Sequence, residues 1–250
     1  MGRWATAALF LKKRDDVVMN DLGTDILLER RHEFKVHDAL YTLYPPSLGI
    51  TSMIKASLEG IGIDLKSLAT APAFALLPLI ESRPLDCCRI IALATCRGRD
   101  EAMSSKIIDT KAKQIYKWLQ PDEIMSLLLI AITNNRVGEF LKESGIEKEN
   151  GRMRRVASFK KNDTPMFGGK TIFGQMLDPV LERYGWTYEY AVWGVSYATL
   201  TALMADKVTS IILTDDEKKQ VPKRLLETED VINGDDPKNW AKIKQLMDMQ

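Results

Sequence analysis

Between Tyr184 and Met204, six of the chain's 19 aromatic residues crowd into one short stretch. Trp186, Tyr190, Trp193 and Tyr197 recur at spacings of four, three and four. On one continuous α-helix that spacing puts all four rings on the same face. Ala191, Gly194, Val195, Ala198 and Ala202 form a strip of small residues beside them. The expectation is a single helix carrying a ridge of rings next to a shallow groove, a shape that accepts another helix. No catalytic constellation of comparable clarity occurs elsewhere in the sequence, so the pattern points to packing and association rather than to bond-making.

The 250 residues suffice for one large domain or two small ones. With 45% hydrophobic and 28% charged residues the chain can bury a sizeable core and is not disordered by composition. Its 35 basic and 34 acidic groups nearly cancel. Nucleic acid is therefore not the expected partner, because dedicated nucleic-acid surfaces bring a basic excess. A net charge of +1 also gives little electrostatic protection against self-association, so a homo-oligomer stays open.

The three cysteines, Cys87, Cys88 and Cys96, lie within ten residues of one another. An odd number with no secretion signal suggests reduced thiols and a cytoplasmic protein. Zinc would need about four ligands, and the two histidines, His32 and His37, are far away in the chain. The cysteines are read as small core residues, with no metal and no cofactor expected. Met1-Gly2-Arg3-Trp4-Ala5-Thr6 fits the degenerate myristoylation pattern. The basic residues Lys12, Lys13 and Arg14 follow the apolar run Ala5–Leu11 instead of preceding it, the wrong order for a signal peptide. Ala69–Ile80, the longest other apolar stretch, falls short of the roughly 20 residues a membrane span takes.

Along the chain, residues 1–30 read as a short helix and a charged lead-in. Residues 31–147 read as a small β-hairpin followed by a helical domain. Phe34 and Val36 alternate with charged residues, Tyr41 and Leu43 alternate with Thr42 and Tyr44, and His37-Asp38 suits a tight turn. Tyr44-Pro45-Pro46 breaks the strand, and Ser47 or Thr51 can cap the helix that follows. Pro72 and Pro78 punctuate the next stretch. Leu85–Arg97 should be buried, and Ile124–Ile132, apolar nearly all round, should be the central core helix. Residues 148–164 read as a basic linker, and 165–250 as a C-terminal helical region. Thr214-Asp215-Asp216-Glu217 has the form of a capping box. Pro237–Met249 forms a terminal helix with a docking stripe of Trp240, Ile243, Leu246 and Met247. The fold class is mainly α, a helical bundle with a small N-terminal β-hairpin.

Three candidate chemistries are weak. Phe167-Gly168-Gly169-Lys170-Thr171 resembles the end of a phosphate-binding loop, but Thr164 stands where the first glycine belongs and the lead-in Phe159–Asp163 is too polar for a buried strand. Asp178 and Glu182 could be paired carboxylates, but acids at a helix start are ordinary. His37 and Asp38, as adjacent strand residues, should point to opposite faces. The chain is expected not to be an enzyme. The aromatic stretch can itself be plain core, although tyrosine and tryptophan are enriched at interface hot spots. Methionines, Met204 among them, adapt to varied apolar partners.

Two segments resemble the tail assembly chaperones of tailed bacteriophages and prophages. One is the hairpin and helix start, Phe34-Lys35-Val36 with Tyr41-Thr42-Leu43-Tyr44-Pro45-Pro46-Ser47-Leu48-Gly49. The other is Tyr184-Gly185-Trp186-Thr187-Tyr188-Glu189-Tyr190-Ala191-Val192-Trp193-Gly194-Val195-Ser196-Tyr197, closing on Leu203-Met204-Ala205-Asp206. The resemblance implies a mostly helical, non-enzymatic protein of the host cytoplasm that binds the long helical tape-measure protein before the tail tube forms. Partner binding is then expected at Trp186, Tyr190, Trp193, Gly194, Tyr197 and Met204. The alternatives are a structural virion component, such as a connector or tail-completion protein, and a nucleotide- or nucleic-acid-binding regulator using residues 152–170.

Overall fold

The structure, a computed structural model, describes residues 22–63, 68, 70–133, 136–160, 170–207 and 211–226. Most of the N-terminal lead-in, the glycine pair Gly168-Gly169 and the expected terminal helix lie outside the described residues. The fold is mainly α with one small antiparallel hairpin. The chain divides into two compact units, residues 1–144 with 168–206, and residues 145–167 with 207–250.

In the first unit, a short helix α1 (Leu22–Leu27) leads into β1 (His32–Val36) and β2 (Ala39–Leu43). Their register pairs His32 with Leu43 and Val36 with Ala39, leaving His37-Asp38 as a two-residue turn. His37 takes φ 54, the positive sign a turn this short requires. Val36 and Leu43 are the buried ends of the two strands. Helix α2 (Leu48–Gly60) starts at Ser47, whose side chain accepts a hydrogen bond from the Ile50 amide.

Helices α3 (Pro72–Ser82) and α4 (Pro84–Ala94) follow, then the short α5 (Arg99–Met103), α6 (Ser105–Trp118), α7 (Pro121–Thr133) and α8 (Val137–Glu143). Pro78 sits inside α3 instead of ending it. The burial order also corrects the sequence reading. Helix α4 is the central one: Cys87, Cys88 and Ile90–Ala94 are all buried, and α2, α3, α6 and α7 pack around it. Helix α7 buries only Ile124, Leu128 and Ala131, while Met125, Leu127, Leu129, Ile130 and Ile132 are half-covered. An apolar circumference allows full burial but does not enforce it, since exposed leucines are common on protein surfaces. The described part of this unit closes with a π-helical turn (Phe173–Leu177), α10 (Asp178–Tyr184), a second π-helical turn (Tyr190–Gly194) and α11 (Tyr197–Ala205).

The second unit contains α9 (Ile146–Ala157), α12 (Asp215–Gln220) and α13 (Lys223–Leu226). The segment expected as a solvated basic linker is thus mostly a helix. Glu147 and Glu149 occupy its first turn and Arg154 and Arg155 its last, the charge order that the helix dipole favours. Arg152 is paired with Glu149 at 2.5 Å and donates to the Leu225 carbonyl. Val156 is buried with Leu213 and Val221 in a small core of this unit's own. The capping box is present: the Thr214 hydroxyl accepts from the Glu217 amide, and the Glu217 carboxylate accepts from the Thr214 amide at 2.8 Å. Residues 170–206, expected to belong with the C-terminal region, instead go with the first unit.

Among the described residues no single helix is long and apolar enough to cross a membrane. The pair α7 and α8 reaches that length only together, across a bend of 53°.

Candidate functional site

The aromatic segment is not one helix. Helix α10 ends where Gly185 adopts φ 62, a left-handed conformation that glycine enters without strain and that closes helices. The π-helical turn Tyr190–Gly194 follows, then Val195 is extended and Ser196 caps α11. The Ser196 hydroxyl accepts from the Thr199 amide at 3.1 Å, and the Val195 amide donates to the Tyr190 carbonyl at 3.2 Å. Both stops were legible as residue types: a glycine after a periodic run, and a serine three residues before a threonine. The ring spacing concealed them.

The rings fall into two groups that divide within the π-helical turn, between Tyr190 and Trp193. Tyr184 stacks on Trp186 at 5.0 Å, and Trp186 meets Tyr190 edge-to-face at 5.1 Å, both within the range of attractive aromatic pairs. Tyr190 remains 48% exposed and its neighbour Tyr188 52%. Trp186 is half-buried. Gly194 lies under the Tyr190 ring, which a Cβ at that position would strike. Ile172 and Phe173, in the same unit, are exposed as well.

Trp193 does the opposite. It is half-buried and packs against both hydrophobic clusters of the first unit. Its six-membered ring lies so close to Gly49 that a Cβ there would fall 2.6 Å from Cζ3. Around this contact the backbones join. Ser47 and Ser196 form an isolated antiparallel bridge, and the Tyr197 amide donates to the Pro46 carbonyl at 2.8 Å. Just past α1, the Glu29 carboxylate accepts from the Ser196 amide at 3.0 Å, and on α1 the Ile26 carbonyl accepts from the Thr199 hydroxyl at 3.3 Å.

Tyr197 and Met204 are half-buried and pack with Leu48, Val180, Ala191 and Leu200. The expected small-residue groove is not free: Ala191, Val195 and Ala198 are buried within the monomer and Ala202 is half-buried. Of the six expected partner-binding residues, Trp186, Tyr190 and Gly194 gather at an accessible rim. Trp193, Tyr197 and Met204 belong to the packing beneath it.

The other candidates separate by geometry. His37 and Asp38 do meet, with Nε2 and Oδ2 2.7 Å apart, because they are turn residues and the strand alternation does not apply. The imidazole stacks flat on Trp118 at 4.2 Å, so the pair fastens the hairpin turn to α6. Asp178 and Glu182 are both exposed on α10, and Lys170 and Thr171, ahead of the first π-helical turn, are exposed too. The three thiols are buried and free of disulfides. Burial pushes Cys87 up to about 11 and Cys88 up to about 12, and raises Cys96, so all three stay protonated and poorly nucleophilic. No group of three His, Cys, Asp or Glu that could hold a metal occurs among the described residues.

No family model, curated protein or solved structure matches this chain.

Proposed function

We propose that this protein is a non-catalytic assembly chaperone of phage tails, which binds the helical tape-measure protein in the host cytoplasm before the tail tube forms. One observation carries the reading. The two segments that bear the resemblance to tail assembly chaperones, Phe34–Gly49 and Tyr184–Asp206, are separated by more than a hundred residues in sequence. They meet at a single joint built from Gly49, Trp193, Ser47 and Ser196. The joint thus makes the two resembling segments neighbours in one structural unit.

Beside the joint, Trp186, Tyr188 and Tyr190 offer aromatic surface next to water. A tape-measure helix has a long apolar face that aggregates when bare, and rings of this kind cover such a face at low entropic cost. Each large side chain so buried contributes about 1.5–3 kcal/mol before ordering costs are subtracted. That scale permits binding and also release once the tube assembles.

The test is a photo-crosslinking amino acid at position 190 in cells assembling tails, together with analysis of finished particles. The expected result is an adduct with the long helical protein that sets tail length, and no copy of this chain in mature particles. Stoichiometric presence in finished particles would support a structural virion component instead.

A further inference from the structure

The geometry points to a carboxylate-recognising arginine pair, Arg31 and Arg97 on the two sides of the Tyr44 junction, that selects an acidic amphipathic helix as the occupant of the neighbouring aromatic rim. This rests on the partner-helix reading above and adds the charge that the partner must carry.

The pair is placed by the fold. Hairpin register sets His32 opposite Leu43, so Arg31 and Tyr44 flank the open end of the hairpin. The Tyr44 amide donates to the Ala94 carbonyl at 3.2 Å, which ties that end to the last turn of α4, three residues before Arg97. The Arg31 guanidinium lies 5.9 Å from the Tyr44 ring centroid and that of Arg97 lies 6.0 Å from it. Two cations sharing one ring thus lie within about 12 Å of each other.

No acid among the described residues forms an ion pair with either guanidinium. Asp25 is engaged by Arg30 at 3.0 Å. Glu29 accepts from the Ser196 amide, and Glu101 takes Lys111 at 3.2 Å and the Arg97 backbone amide. Both guanidiniums are exposed and hold open donor forks, which match a carboxylate in two-point geometry.

The rim is close by. Gly98, with φ 85, turns the chain so that Arg99 reaches Glu189 at 3.7 Å, between the exposed Tyr188 and Tyr190. Arg99 is taken by Glu189, so the charge left at this edge for the acidic shoulder of an apolar-faced helix is that of Arg97 and Arg31 at Tyr44. The even overall charge argues against nucleic acid as the ligand of so small a basic patch.

The experiment uses the full chain and fluorescence anisotropy. The probes are two labelled helical peptides of about 20 residues with one apolar heptad face, identical except that one carries Glu and the other Gln beside that face. The Glu peptide should bind about tenfold more tightly. Raising salt from roughly 0.05 to roughly 0.5 M should erase the difference. Arg31→Gln/Arg97→Gln should abolish the preference while the melting temperature and the Gln-peptide affinity stay put, and Arg31→Lys/Arg97→Lys should restore part of it. Equal binding of both peptides overturns the arginine pair and leaves the partner-helix reading standing. Binding of neither peptide by the folded chain overturns both. Tighter binding of a single-stranded oligonucleotide than of either peptide, lost in Arg31→Gln/Arg97→Gln, overturns the inference in favour of nucleic acid.

Discussion

Trp193 and Tyr190 lie three residues apart in the same aromatic run, yet one is a structural joint and the other a surface. Trp193 presses on Gly49 and touches both hydrophobic clusters of its unit. Tyr190 lies over Gly194 with half its area in water. Both rings sit within one π-helical turn, whose wider winding parts what a regular helix would have kept on one face. Ring density alone therefore does not distinguish an interior from an interface. The backbone between the rings does.

Substitutions at the two rings should give opposite signatures. The largest effect is expected for Trp193→Ala, a loss of about 3 kcal/mol, near the lower end for a large aromatic because the ring is half-buried. Chemical denaturation measures it, and a loss below about 0.5 kcal/mol would mean that the joint is not structural. Next comes Gly49→Ala. A methyl 2.6 Å from the indole must displace a ring wedged between two clusters, at about 1–3 kcal/mol. Alanine's helix propensity offsets up to about 1 kcal/mol of that. Combining Gly49→Ala with Trp193→Ala should destabilise less than the two effects added, because removing the ring relieves the clash.

Ser196→Ala is expected to lose about 1 kcal/mol through the α11 cap. The matching change at Ser47 should be similar if the two serines hold one joint. Smallest of all is Tyr190→Ala, within about 0.5 kcal/mol of the parent in stability. Its effect should appear as weakened partner binding with an unchanged melting temperature, the reverse of Trp193→Ala. A large stability loss at Tyr190 would erase the contrast.

Much of the fold was readable. Alternation around a two-residue turn gave the hairpin at its observed place, and the capping box at Thr214 gave the start of α12. The apolar run through Cys87 and Cys88 marked the buried helix, although pattern could not rank α4 above α7 as the centre. Local signals fix element type, but neighbours decide which apolar face is covered. Two misreadings share a physical cause. Residues 148–164 read as linker because the charges of 148–157 mask a helix whose dipole those same charges satisfy. The aromatic run looked like one helix because its spacing outweighed Gly185 and Ser196. The Gly49–Trp193 contact joins positions 144 apart in the chain and left no local signature. Of the candidate site, Trp186, Tyr190 and Gly194 are among the residues nominated from sequence and Tyr188 is not, and the sealing of Ala191, Val195 and Ala198 left no sequence signal.

Hydroxyl-radical footprinting of the free chain, and of the chain mixed with the tail-length-determining helical protein, addresses the division between joint and rim most directly. The account predicts strong modification of Tyr188 and Tyr190 in the free chain, marked protection of both in the mixture, and little change at Trp193. Equal modification of Tyr188 and Tyr190 with and without that protein, under conditions where the two co-migrate, would contradict it.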